Sequence, residues 1–503
     1  MFIRSRHRRR LWSLVVTGAL LAPPGAWGKE PTRSELEERI RRLEQIIRDN
    51  GLDRPAPRGG RAAPAGRVGA PAAAAETEID KPAVEAIVEE KLRKQKVLAG
   101  WKDGFFLESP SGDFKLKLRG YLQTQFRDFP SESGDTGTDQ IWLRRVRPIV
   151  EGTVFKYFDY KIMPDFGNNT AQLYEAYFDV NYFKPWVALR GGKFKPPLSL
   201  ERLQSATDLT MVERSISNQL APNRDTGFQF SGDLYGFANW QIGVFDGALD
   251  NQLNELNATS DFDADFRIFM NPFNDFDIDA LKGFGIGFAG DYGSSKVDQN
   301  LNVIQYRTPG RATFFKYNVS TASANTISIF ADGEHWRTIP QGYYYWGPFG
   351  FMGEYIISAQ GAQRTRTQTV GKTKTTTVNE ATFENQGWFV QASYVLTGED
   401  ASFRGVTPIN PFDPANGRWG AFELAAQGSY LGVDPKAFSL GFAKKPDSTQ
   451  HASTWGVGVN WYLNKNFKLQ ADWYHTDFDT PVTFGDKTRD HENVILTQFQ
   501  IAY

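Results

Sequence analysis

No cysteine occurs among the 503 residues, which excludes a disulfide framework and every thiolate metal or redox site. The five histidines never take the HExxH spacing of a zinc hydrolase, and none accompanies a GxSxG turn. The sequence therefore calls for no catalytic metal and no cofactor. Beyond the first thirty residues no stretch approaches the roughly 20 consecutive apolar residues that a membrane-spanning helix needs. Any insertion into lipid must then be made by strands. Nor is there an excess of positive charge: 57 Lys and Arg stand against 58 Asp and Glu, which gives no electrostatic footprint for a nucleic acid.

What the chain has instead is aromatic residues (39 Phe, 19 Tyr, 13 Trp) and 47 glycines in a sequence of low overall hydropathy. Alternating strands with interfacial aromatic girdles produce that combination. The last eleven residues show the alternation plainly. Ile495, Thr497, Phe499, Ile501 and Tyr503 share one face, and Leu496, Gln498, Gln500 and Ala502 the other. Such a strand closes either a soluble antiparallel sheet or an outer-membrane barrel. The start of the chain favours the barrel: five arginines between Arg4 and Arg10, an apolar run from Leu11 to Leu21 and the small-x-small triplet Ala26-Trp27-Gly28 read as an export signal over 1–28.

After the signal, Leu36, Ile40, Leu43 and Ile47 fall at 4-3-4 spacing among charges, the seam of a short coiled-coil helix expected over 29–50. Residues 51–81 are mostly Pro, Ala, Gly and Arg and cannot bury enough surface to order themselves. They read as a disordered periplasmic linker. A second short helix with a lead-in is expected over 82–104. From about Phe105 the period becomes two: Lys115, Lys117, Arg119, Tyr121, Gln123, Gln125 and Arg127 alternate with Leu116, Leu118, Gly120, Leu122, Thr124 and Phe126. The basic face must meet water and the apolar face lipid. Tyr174 to Tyr182, Trp388 to Leu396 and Trp455 to Trp473 repeat the scheme, with Tyr174 assigned to an apolar face and Asn464-Lys465-Asn466 to a tight turn. Short turns alternate with longer polar excursions such as 295–310 and 361–380. An all-β transmembrane antiparallel barrel over 105–503, of 16 strands at about 25 residues per strand and connection, is expected, with an aqueous lumen.

Several separated segments carry a resemblance: Leu143-Arg144-Arg145-Val146-Arg147 before Glu151-Gly152, Gly192-Lys193-Phe194-Lys195-Pro196, Gly387-Trp388-Phe389-Val390 through Gly398-Glu399, Gly420-Ala421-Phe422-Glu423-Leu424, and Gly458-Val459-Asn460-Trp461-Tyr462. In this order they resemble the phosphate-selective porin O and P family. The resemblance implies a homotrimer of 16-stranded barrels in the outer-membrane lipid of a Gram-negative-type bacterium, each pore narrowed by an inward-folded loop and lined by basic side chains. It implies pore roles for Arg144 and Arg145, adjacent residues that would face opposite ways in a regular strand and that a bulge could turn inward together. Their alternative, with Arg147, is a set of rim or subunit-interface charges. It also implies that residues 198–225, which lack period-two alternation, form the constriction loop, with Arg202, Ser205 and Arg214 at its basic, hydroxyl and basic positions. Lys117 and Arg119 complete the candidate anion-binding set.

Two departures weaken phosphate specificity. Tyr121 stands where the family has an arginine, and Ala206-Thr207-Asp208 lacks the lysine that follows the serine in phosphate-selective members. Charge gives the same warning. Residues 100–503 carry 37 basic and 45 acidic residues, a net of −8, so any anion preference must come from local clustering of arginines. The expected function is passive diffusion of small hydrophilic solutes, with small anions such as phosphate preferred. Alternatives are a non-selective diffusion porin and a structural tether, in which the basic segment 30–98 grips peptidoglycan. An enzyme would need a nucleophile and base that the sequence does not supply.

Overall fold

The computed structural model describes residues 97–130, 136–253, 262–295 and 300–503. The expected signal, coiled-coil helix, linker and most of the second helix lie outside them. The described end of the lead-in is not helical. Leu98–Trp101 and Phe105–Glu108 form a strand hairpin that pairs with Lys115–Leu118. That edge is free to accept it because the barrel's last strand stops short, at the level of Tyr121.

Sixteen strands close the barrel. They are β1 Lys115–Asp128, β2 Gln140–Val154, β3 Phe158–Asp165, β4 Gln172–Phe183, β5 Val187–Phe194, β6 Asp225–Leu234, β7 Ala238–Phe245 and β8 Asp263–Met270, then β9 Phe284–Ser295, β10 Asn325–Trp346, β11 Phe349–Val370, β12 Thr373–Val395, β13 Ala421–Gly432, β14 His451–Tyr462, β15 Phe467–Phe484 and β16 Lys487–Ala502. Each is antiparallel to its neighbour in sequence, and β16 returns to β1 with Gln498 opposite Gln125 and Ala502 opposite Tyr121. The seam is finished by the terminal residue, whose backbone exchanges two 2.9 Å hydrogen bonds with Gly120. Closure leaves no row of unpaired amides to face lipid.

The burial pattern is inverted relative to a soluble sheet. On β14, Trp455, Val457 and Val459 point outward and are exposed, while Thr454 and Asn460 are buried inside. On β8, Phe266 and Ile268 face out and Asp263, Asp265 and Arg267 face in. Only an apolar surrounding makes that arrangement favourable, since buried polar groups need partners within the protein. They have them. An amide chain crosses the seam, with Gln125 donating to Gln498 at 2.9 Å, Gln498 to Gln470 at 2.9 Å, Gln470 to Asn460 at 2.8 Å and Asn460 to Glu423 at 2.8 Å.

Two expectations about the connections change. Residues 361–380 form no loop: β11 and β12 pair without interruption from Phe349↔Tyr394 to Val370↔Thr373, so the Thr- and Lys-rich stretch is a projecting ribbon with a two-residue turn. Threonine is a good strand former, and a paired ribbon in water needs no apolar face. The lumen, in turn, is much narrower than 16 strands alone would leave it. Leu198, Ile216, Leu220, Leu249, Leu301, Ile304, Tyr306, Phe314, Phe315, Val433 and Phe442, all from connections between strands, are buried against Ile329, Ile339, Ile356, Phe383, Leu431 and Phe478 of β10–β15. The connections fold inward and fill that side of the barrel with an apolar core.

Candidate pore constriction

The segment between β5 and β6 crosses the lumen, and much of the wall's hold on it is through its main chain. Near its start Glu354 of β11 accepts from the Ser199 hydroxyl at 2.6 Å and the Leu200 amide at 2.7 Å, and a single helical turn, Leu200–Leu203, is capped by Ser199. Further on, Gln123 donates to the carbonyl of Ala206 at 2.9 Å, Lys468 to those of Thr207 at 3.0 Å and Leu209 at 2.9 Å, and Asn460 to that of Thr210 at 2.8 Å. Asp472 accepts from the Val212 amide at 2.6 Å. These bonds satisfy backbone groups that no strand partner could reach. The segment is then clasped by Arg144, whose guanidinium forks onto Glu213 at 2.6 and 3.0 Å.

Two bulges shape the opposite wall. Gln123 pairs with Arg145 and Thr124 with Leu143, which leaves Arg144 as the extra residue of β2. Met163 pairs with Glu175 and Pro164 with Leu173, which leaves Tyr174 as the extra residue of β4. The first bulge turns Arg144 inward beside Arg145, so neither is a rim or interface charge. The second overturns the assignment of Tyr174 to an outward apolar face: a bulge breaks the strict alternation, and the ring lies inside with the Arg147 guanidinium 3.7 Å and that of Arg224 4.4 Å from its centroid.

A cavity of about 340 Å³ opens on the outer side of the segment and one of about 440 Å³ on the periplasmic side. Arg147, Tyr174 and Arg214 line both, and so mark where the two meet. The outer cavity is lined by seven arginines and two carboxylates, Asp165 and Glu213. The periplasmic cavity is lined by seven Lys or Arg and by Glu175 and Asp208.

The basic residues are not equivalent. Arg147 donates to Asp165 at 2.7 Å and to the Tyr121 hydroxyl at 2.6 Å, and Arg224 pairs with Glu175 at 2.7 Å. Arg145 donates to Gln123 at 2.6 Å and reaches Glu213 only at 3.9 Å. Arg202 and Arg214 bond to carbonyls instead: Arg202 to Asn218 at 2.8 Å, Arg214 to Glu201 at 3.1 Å and Gln204 at 2.8 Å. Their charge has no carboxylate bound to it among the described residues. Burial, together with the neighbouring Arg214 guanidinium, pushes Arg202 down to about 9, and burial beside Arg144 brings Arg311 down to about 10. Both stay charged at neutral pH. Ser205 lines the periplasmic cavity with its hydroxyl 2.8 Å from that of Thr207, which donates to Asp208 at 2.8 Å. Burial raises the Asp208 carboxyl above its ordinary value.

Lys117 and Arg119 are not brought to the constriction. Both lean on Glu151, at 3.8 and 2.9 Å, and only Arg119 lines a cavity. Conversely, sequence reasoning passed over Arg224, Lys195, Arg307 and Arg311. Lys195 and Arg224 flank the crossing segment and could have been found as the basic residues at its ends. Arg307 and Arg311 come from the connection between β9 and β10, whose inward path has no periodicity to reveal it.

A closed antiparallel barrel, apolar outside, polar within and narrowed by an inward-folded segment between its fifth and sixth strands, defines an outer-membrane porin. The chain belongs to the family described as phosphate-selective porin O and P, whose model matches residues 114–503. Porin O of Pseudomonas aeruginosa is 25% identical over 398 residues, 74% of this chain and 84% of that protein. Among solved structures, the outer membrane channel DcaP of Acinetobacter baumannii matches with a TM-score of 0.47 and 11% identity, over 81% of this chain and 100% of that one. An anion-selective porin from Comamonas acidovorans matches with a TM-score of 0.43 and 9% identity, over 78% and 100%. The site of action is the outer membrane of a Gram-negative bacterium.

Proposed function

We propose that this porin is a passive channel for small hydrophilic solutes that prefers anions, phosphate among them, and that its preference resides where the two cavities meet. The observation that carries the reading is the local charge: each cavity is lined by seven basic side chains against two acidic ones, within a barrel region whose net charge is −8. Salt screens exposed charges over about 8 Å at physiological ionic strength, so a solute at Arg147 and Arg214 feels the nearby guanidinium groups far more than the distant acidic residues. Arg202 and Arg214 can still offer donors to a passing anion, because no carboxylate among the described residues is bound to them, and guanidinium forks match phosphate oxygens.

Phosphate is bound weakly rather than tightly on this reading. Tyr121 contributes a hydroxyl where a cation would draw phosphate in, and Asp208 brings negative charge to the periplasmic cavity. The working assembly is a homotrimer, as family membership implies, and solutes pass chemically unaltered. Reversal potential across a bilayer in asymmetric KCl, followed by phosphate competition with the chloride current, tests the proposal. Anion-directed potentials and a saturable phosphate block support it; cation-directed potentials overturn it and leave a non-selective diffusion porin.

A further inference from the structure

Away from the anion path, the lumen wall carries an acidic cluster whose partners do not balance it. Asp263 and Asp265 of β8 and Asp291 of β9 are buried at 3, 3 and 4% exposure. One oxygen of each lies within 4.8 Å of the others. Asp265 sits directly opposite Asp291 in the strand register, a like-charge cross-strand pair that is destabilising on its own. His335 holds Asp263 at 2.7 and 2.8 Å. Arg337 holds Oδ2 of Asp291 at 2.6 Å but is shared with Asp250, at 2.8 Å. The backbone amides of Thr226, Gly247 and Ala248 occupy the nearby Asp225.

Two independent gaps remain. Oδ1 of Asp291 is buried with no hydrogen-bond partner, and Asp265, equally buried, receives no hydrogen bond or ion pair among the described residues. A buried carboxylate left unpaired is strongly destabilising. The backbone makes room for the cluster. A Cβ on Gly293 would lie 1.9 Å from Oδ1 of Asp263, so glycine there leaves space that the carboxylate fills.

We propose that Asp263, Asp265 and Asp291 bind a divalent cation of the calcium class. Three carboxylates form an all-oxygen donor set of the kind hard cations take, and together with lumen water they can supply the six to eight oxygens that calcium accepts at about 2.3–2.6 Å. Calcium's flexible coordination also asks less of three fixed carboxylates than the near-ideal octahedron at roughly 2.1 Å that magnesium demands. The ion would join β8 to β9 and, through His335 and Arg337, to β10. None of the three aspartates lines either cavity, so the ion would act on the wall and not on the solute.

The test uses the full-length detergent-extracted porin, stripped with a chelator and titrated with radioactive calcium, with thermal unfolding measured in parallel. The expected result is one calcium per chain, a calcium-dependent rise in unfolding temperature and weaker displacement by magnesium. Asp265→Asn should lower calcium affinity at least tenfold and abolish the thermal rise. It strands no other group, because nothing among the described residues donates to Asp265. Asp486→Asn, at the exposed β15–β16 turn, should change neither. Absence of saturable binding by the wild-type protein, or equal binding by Asp265→Asn, overturns the proposal and leaves a cluster balanced by a shared proton; tighter binding of magnesium overturns the choice of calcium. If Asp265→Asn fails to assemble, the wild-type stoichiometry decides alone.

Discussion

Two halves of one lumen are built on the same alternation and end in opposite states. Along β9–β15 the inward positions include Ile329, Ile339, Ile356, Phe383, Leu431 and Phe478, and the connections pack apolar side chains onto them until a core fills the space they face. Along β1–β5 the inward positions include Gln123, Arg145, Arg147, Asp165, Glu175 and Arg190, among which an apolar loop would strand buried charge, and that half stays wet. The channel is therefore off-centre, placed by where the wall refuses an apolar filling. Strand number sets the barrel's size; inward side chains set how much of it is pore.

The largest expected effect comes from emptying the filled half. Phe314 and Phe315 are fully buried in it, and Phe315→Ala should cost about 3–5 kcal/mol. A lowered unfolding temperature with raised single-channel conductance and diluted selectivity would bear this out. Unchanged conductance would show that the apolar core does not limit the pore. Next, Arg202→Ala with Arg214→Ala should move the reversal potential toward cations, since these charges have no bound carboxylate among the described residues. A potential that stays put would mean that the wet half filters by size alone. A smaller gain is expected from Asp208→Lys, which should strengthen phosphate block of chloride current several-fold. Smallest is a pH effect. Burial raises the Asp208 carboxyl, so on acidification it loses its charge earlier than an ordinary aspartate and anion preference should rise. The sign follows because the neutral acid repels no anion. Asp208→Asn should flatten that rise, and a slope left intact would assign it to another group.

Much of this was legible in the residues themselves. The closing strand, its two faces and the arrangement of Trp455, Val457 and Val459 follow from period two, a signal that survives because lipid and lumen reward opposite side chains. The bulge at Arg144 could be anticipated from adjacent arginines. The one at Tyr174 could not, because an aromatic is equally at home facing lipid or stacked between guanidinium groups. Phe314 and Phe315 sit in a connection without periodicity, and their burial depends on Ile356 and Phe383, residues far away in sequence. The ribbon at 361–380 was missed for the opposite reason: a strand pair wholly in water has no face to advertise. Arg202 and Arg214 were found through a family pattern, and no local rule would have singled them out.

The crossing segment is gripped by Gln123, Lys468, Asn460 and Asp472 through its carbonyls and amides. Those atoms are the same whatever residue occupies positions 206, 207, 209, 210 and 212, proline at an amide position apart. Course and chemistry are thus separable heritable traits. Substitutions at Ala206, Thr207 or Asp208 can rewrite what the orifice favours without relaying the path that forms it. A lineage can retune its diet of solutes one codon at a time while the architecture stands still.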